Sequence, residues 1–376
     1  MMHKLINSVR RRIRIKKAWL KDEIHGYIDR AFFKEKEGGI DEKRKIIFHS
    51  VVWGDDFLHP FFSYTIPSLL QDGNIPQLAR DGFNLKFCIY THPEQYQEIS
   101  KQYESCLASL GEYMAVSVIP LDEMKDGWWR DDTWHYMTGA LIDQIERCLK
   151  ESAMMFDARP DTIYGNGSIS NAVNTVQGKN VCFAAAHPRL DKASAEKSDA
   201  FAALKNMERC YENDELVGLA FEHAHATLRG SFDNEDCNMT YGGLSIRKIT
   251  DNMYTVIHNL PMIWVANFTK DDLRFFKTPW STWDDRWDHR WANLLLRQNR
   301  LKVAGSSDFF FCVEPMSDRH RALPMEKGLL NNDKFQTRRQ RRLHNYVFNS
   351  FCSVWRGRSD RSKLVSGDSV QQSSGG

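Results

Sequence analysis

The chain has 376 residues, 42% of them hydrophobic and 27% charged, a globular balance that excludes a wholly disordered or fibrous protein. Its 51 Lys+Arg against 49 Asp+Glu leave a net charge of +2, so nucleic-acid binding cannot rest on overall charge and any basic surface must be local. No run reaches the roughly 18 apolar residues of a membrane span, the N-terminus lacks the apolar core of a secretory signal, and a cytoplasmic protein is the expectation. The eight cysteines, scattered without a CxxC pair, agree with reduced, buried thiols.

Residues 1–35 stand apart. Seven Lys/Arg fall between His3 and Lys17, while Leu5, Val9, Ile13, Leu20 and Ile24 recur near helical spacing. This pattern predicts a basic amphipathic helix suited to an anionic membrane surface or, as an alternative, to nucleic acid, unless its apolar stripe simply packs on the main body. A charged linker with Gly38-Gly39 leads to Lys45–Trp53, whose β-branched and aromatic residues predict a buried strand. Pro60 and Pro67 interrupt the aromatic run 57–70, which reads as one or two short helices. Further strands are predicted at 85–90 and 116–121, with helices at 93–110 and 133–150, the latter carrying Met137, Leu141, Ile145 and Leu149 at four-residue steps. Short strands at 154–156 and 162–164 flank the turn Asp157-Ala-Arg-Pro-Asp161, and the Gly-rich Gly165-Asn-Gly-Ser168 opens a helix before a strand at 180–185. Alternating strands and helices of this length predict a Rossmann-like, mostly parallel sheet.

The second half is less regular: helices over 191–232, short strands at 240–246, 253–257 and 262–265 as an antiparallel addition, a Trp-rich helix from Trp280 to Leu301, and a last strand at 307–313. The division expected is a basic helix at 1–35, a nucleotide-binding α/β half at 45–190, an acceptor-side half at 191–335, and a basic helix with a disordered tail at 336–376.

There is no P-loop, dinucleotide-binding GxGxxG, HExxH or GxSxG pattern, which sets aside the reactions those motifs serve. Candidates are therefore polar residues at strand ends, where open α/β sheets hold ligands. His49, Ser50 and Trp53 within and after the first strand and Tyr90, Thr91 and His92 at the end of the second offer an aromatic face for a base and hydroxyls for a ribose, unless they are aromatic packing at strand ends. Asn166 and Ser168 lie where backbone N–H groups at a helix start can face a phosphate, though a turn with an N-cap serine explains them equally. His187 and Arg189 follow a strand as an anion clamp. Asp285 and Asp288, set among Trp283, Trp287 and Trp291, pair carboxylates with tryptophan faces as a sugar site would; ion pairs to Arg286 and Arg290 on a core helix account for the same letters.

The succession Ile46-Ile-Phe-His-Ser-Val-Val-Trp-Gly54, Phe61 to Leu70, Lys86-Phe-Cys-Ile-Tyr-Thr91, Pro160-Asp-Thr-Ile-Tyr-Gly-Asn-Gly-Ser168 and Gly178-Lys-Asn-Val-Cys-Phe183 resembles nucleotide-sugar glycosyltransferases of the GT-A type over residues 45–315. The resemblance implies a fold of that type, a nucleotide held by the first strand and its loop, and an acidic DxD motif after a later strand that holds a divalent metal and the sugar diphosphate. The DxD position falls at Tyr164–Ser168, where no carboxylate stands. A hard cation prefers charged oxygen ligands, so no metal site is assigned: His187 and Arg189 neutralise the diphosphate, or the domain has lost catalysis.

The expectation is thus a glycosyltransferase moving a sugar from a nucleotide-sugar donor to a glycan or lipid-linked acceptor. His49, Ser50, Trp53, Tyr90 and Thr91 would contact the nucleotide, Asn166, Ser168, His187 and Arg189 the diphosphate, and Asp285 or Asp288 would take the acceptor proton. The rivals are a nucleic-acid-associated protein working through its basic termini and an inactive GT-A-like scaffold.

Overall fold

Thirteen strands appear in the computed structural model, which describes residues 44–121, 133–205, 210–225, 228, 244–250, 253–258, 262–277, 291–316 and 351–356. They are β1 (Lys45–Val51), β2 (Asn84–Thr91), β3 (Ala115–Pro120), β4 (Met154–Asp157), β5 (Ile163–Tyr164), β6 (Cys182–Ala185), β7 (Arg189–Asp191), β8 (Leu244–Thr250), β9 (Met253–His258), β10 (Met262–Ala266), β11 (Leu301–Val303), β12 (Cys312–Met316) and β13 (Phe351–Arg356). The basic segment 1–35 and the Trp-rich run 280–290 lie outside the described residues.

A seven-stranded sheet in the order β11-β6-β10-β4-β1-β2-β3 forms the centre. All its strands share one direction except β10, which runs antiparallel between β4 and β6. The fold is therefore α/β with a mostly parallel, Rossmann-like sheet, as the alternation of elements predicts. In β1 every residue after Lys45 is buried, which is why the strand reads as one apolar run rather than an alternating one. The helix Thr133–Glu151 lays Ala140, Leu141, Gln144, Ile145 and Cys148 into the core. Pro60, which has no N–H to give, stands where helix Asp55–Pro60 passes into a wider turn at Phe61–Thr65, with Ile66 N–H reaching Phe61 O five residues back.

Among the described residues two smaller sheets stand beside the central one: β5-β12-β7 and the antiparallel β13-β9-β8. Four expectations are corrected here. Met262–Ala266 is not part of the antiparallel addition; Met-Ile-Trp-Val-Ala is buried throughout and enters the central sheet. The expected basic helix of the tail gives way at Phe351–Arg356 to β13, whose Trp355 is 3% exposed and packs on Phe221 and Phe311. The last strand before the tail is displaced from 307–313 to Cys312–Met316, and Leu301 begins a strand rather than ending a helix. Finally, the central sheet draws β10 and β11 from beyond residue 190, so the half expected at 45–190 does not hold the whole sheet.

One buried network locks β10 to β11. Asp272 (1% exposed) stands at the third position of helix Lys270–Phe276 and forms a capping box with Thr269. Its carboxylate also accepts from Trp291 Nε1 at 2.8 Å and from Arg300 at 2.8 and 3.1 Å, while Arg300 reaches Asn267 O at 3.0 Å. Arg300 precedes β11 and Asn267 follows β10, so a single carboxylate ties the two connections together.

Candidate functional site

From β1 the chain builds outward through β2 to β3, then returns to place β4 on the other side of β1. The crevice outside the carboxyl ends of β1 and β4 is therefore the switch point at which open α/β sheets bind ligands. Two groups of side chains gather along this edge.

The first is aromatic. Trp53 follows β1 and its ring meets His92, just after β2, edge-on at 5.9 Å; His92 in turn meets Tyr136 at 5.4 Å. All three are partly exposed. Gly54, at φ 76°, turns the chain away, and its N–H donates to Gln95 Oε1 at 2.8 Å. Of the five residues expected to contact a nucleotide, Trp53 alone is partly exposed at this rim; the other four are buried. His49 and Ser50 point to opposite faces of β1, as period two requires, and each is 1% exposed. His49 lies 5.2 Å ring to ring from Tyr90, neither of its nitrogens has a hydrogen-bond partner, and burial lowers its pKa to about 3, so it is neutral at physiological pH. The Tyr90 hydroxyl donates to Asp143 at 2.6 Å, with Gln144 Oε1 at 3.2 Å, and so serves to fasten helix Thr133–Glu151 to the sheet. Ser50 Oγ and Thr91 Oγ1 are buried at the end of β1 and β2 without hydrogen-bond partners.

The second group is charged and follows β4. Asp157 ends the strand, and Arg159 Nε lies 3.5 Å from its Oδ2. The Arg159 guanidinium also sits 5.9 Å from the centre of the Trp264 ring, which His187 meets edge-on at 5.9 Å. His187 Nε2 is 3.5 Å from Glu314 Oε2, and Arg189 Nε donates to the same oxygen at 2.9 Å. Strand pairing explains this last contact, because β7 and β12 are parallel with Arg189 opposite Glu314. Burial alone would raise the Glu314 carboxyl, but the Arg189 charge and the contact with His187 outweigh it and hold the carboxyl well below the usual range. Asp161, half-buried and under the influence of the Glu314 charge, is pushed the other way, to about 7, by loss of solvent and then by that charge, and burial lowers His187.

His187 and Arg189, expected as an anion clamp, thus meet in one cluster. Asn166 and Ser168 do not join it. Asn166 accepts from Gly73 N–H and donates to Glu212, at 2.8 and 2.9 Å. Ser168 is wholly buried, donating toward Asn213 and Phe311 O and accepting from Phe311 N–H at 2.9 Å. The Gly165–Ser168 turn is packing: a Cβ at Gly165 would stand 1.8 Å from Asn213 Oδ1. The expected diphosphate role of Asn166 and Ser168 is corrected accordingly, since their polar groups are consumed within the protein. Asp285 and Asp288 lie outside the described residues.

Sequence reading missed Arg159, Asp161, Trp264 and Glu314. The carboxylates sought at Tyr164–Ser168 stand one strand earlier, at Asp157 and Asp161, directly after the apolar Met-Met-Phe of β4. These residues do not fit a divalent cation. Among the described residues no three His, Cys, Asp or Glu side chains are grouped to hold one; the acidic groups after β4 are interleaved with Arg159, and Glu314 is paired with Arg189.

No protein-family model matches the chain, and a search of curated proteins finds no matching sequence. Among the described residues no helix is long and apolar enough to cross a membrane.

Proposed function

We propose that the protein is a GT-A-like glycosyltransferase that binds a nucleotide-sugar donor across the carboxyl edge of its central sheet and transfers the sugar to a glycan or lipid-linked acceptor. The observation that carries this reading is the pairing, at one switch point, of an aromatic row with a cluster of guanidinium groups. Trp53, His92 and Tyr136 offer ring faces to a base. Arg159 and Arg189, on the other side of the β1 and β4 ends, offer planar N–H forks to a diphosphate. Sugar transfer leaves a nucleoside diphosphate behind, so stabilising that negative charge is the main service a protein can render the reaction, and fixed positive groups in a partly dry site do it well. His187, neutral in the free protein, gives one further N–H or lone pair at the same place.

The test is donor binding and turnover. The full chain is titrated with uridine, guanosine, cytidine, thymidine and adenosine diphosphosugars, and release of the nucleoside diphosphate is followed. Saturable binding of one donor, weakened by Trp53→Ala, is the expected result. A folded protein that neither binds nor hydrolyses any of them would remove the reading.

A further inference from the structure

Around Arg159 and Arg189 the site holds more than charge. Trp264, whose ring touches both Arg159 and His187, is wholly buried, and its indole Nε1 has no hydrogen-bond partner. Thr162, next to Asp161 in the chain and 1% exposed, carries a hydroxyl in the same condition. A buried donor left unsatisfied costs about 1–3 kcal/mol; the Trp264 N–H belongs to a ring in the charged cluster, and Thr162 directly precedes β5, the antiparallel neighbour of β12, so each calls for an acceptor. Carboxylates are already supplied there, Glu314 to Arg189 and His187, Asp157 to Arg159.

Resting on the glycosyltransferase reading, we infer that this cluster is a metal-independent diphosphate site in which Arg159 and Arg189 bind the phosphates, Glu314 is the internal anion the ligand displaces, and Trp264 Nε1 and Thr162 Oγ1 complete the shell. A phosphate oxygen can replace a carboxylate oxygen on a guanidinium with little change of geometry, because both accept two parallel N–H bonds. Glu314 is the central residue of β12 and Arg189 lies across the ladder from it, so the displaced anion and its guanidinium partner share one register position. The cluster also has an acidic member that feels the Glu314 charge: Asp161, which holds its proton up to about 7.

The experiment is calorimetric titration of the full chain with inorganic pyrophosphate and with the nucleoside diphosphates, once in EDTA and once in manganese. Binding in EDTA, changed less than about threefold by manganese, is expected, with Arg159→Gln and Arg189→Gln each weakening it about tenfold, the loss of one charge-assisted hydrogen bond. Glu314→Gln binds pyrophosphate several-fold more tightly, since it removes the competing anion; an ion pair of purely structural purpose would not give that gain. Should the Gln variants fail to fold, Arg159→Lys and Arg189→Lys keep the charge without the fork, and they weaken binding by less than tenfold. Binding seen only with manganese overturns this inference and leaves the donor reading standing. Unchanged binding in the arginine variants, or no gain in Glu314→Gln, overturns it as well. No binding of any diphosphate in either buffer removes the donor reading itself.

Discussion

Replacing Asp161 by asparagine provides the sharpest test of the electrostatics at the edge of β4. The wild-type carboxyl holds its proton up to about 7 against an ordinary 3.8. Between those values the folded protein binds more protons than the unfolded chain, so stability declines as pH rises through the interval. The full shift of about three units corresponds to ~4 kcal/mol; partial exposure of Asp161 and relaxation around it bring the expected change to on the order of 2 kcal/mol. Asparagine does not titrate. The stability of Asp161→Asn relative to wild type, measured by urea unfolding, therefore increases by about that amount from pH ~4.5 to ~7.5. Glu314 behaves in the opposite sense, since its depressed pKa gives stability above the ordinary carboxylate range that disappears only in strong acid. In a Glu314→Gln background the like charge is gone but the burial remains, and burial is the larger cause, so the Asp161→Asn effect loses part of its pH dependence and keeps the rest, which a double-mutant cycle reads directly. A difference that stays flat, or shrinks with rising pH, would refute the account.

Other outcomes follow from the packing. Asp272→Ala strands the buried Arg300 guanidinium and the Trp291 N–H and removes a capping box, so it lowers stability by about 3–5 kcal/mol; a loss below about 1 kcal/mol in urea unfolding would contradict the network described. Gly165→Ala drives a methyl group into Asn213, whose side chain holds Ser168 and Asp308 O, and costs about 2–3 kcal/mol or more. Cys88, buried and with its thiol pushed up to about 11, stays unlabelled by a disulfide reagent near pH 8 until the protein unfolds, whereas the exposed Cys210 reacts in the native state; mass mapping of the labelled peptides decides the order.

Where the chain forms long buried strands, the fold was legible. The apolar runs of β1, β2, β4 and β6 mark strands covered on both faces, and the helices between the parallel strands match the alternation that parallel pairing needs. β7 and β11 have three residues each, too few for any period to show. β13 escaped because four arginines precede it at 338–342 and their charge dominates the local pattern. The site was half legible for a related reason. Polar residues after a strand mark the ligand edge, and that rule found Trp53, His187 and Arg189. It misjudged Tyr90 and Ser168, because a hydroxyl near a strand end looks alike in sequence whether it faces a crevice or fastens a helix. Asp157-Ala-Arg-Pro-Asp161 has the letters of a turn, and only its position after β4 distinguishes it from one.

The two halves of the edge rest on frameworks of different stiffness. Trp53 and His92 extend directly from β1 and β2, strands of seven and eight residues paired in parallel from Lys45–Asn84 to Val51–Tyr90. Arg189 and Glu314 belong to the small sheet, where β7 meets β12 over three residues and β12 meets β5 over two. Fewer ladder bonds per strand mean a lower free energy of local opening. Amides of β7 therefore exchange with deuterium faster than those of β1 in the free protein, measured peptide by peptide. A diphosphate that takes over Arg189 would stiffen the small sheet and slow that exchange, while leaving β1 unchanged. Equal protection of the two strands before ligand is added would show that the charged half is as rigid as the aromatic one, and that Glu314 is not on an element free to yield.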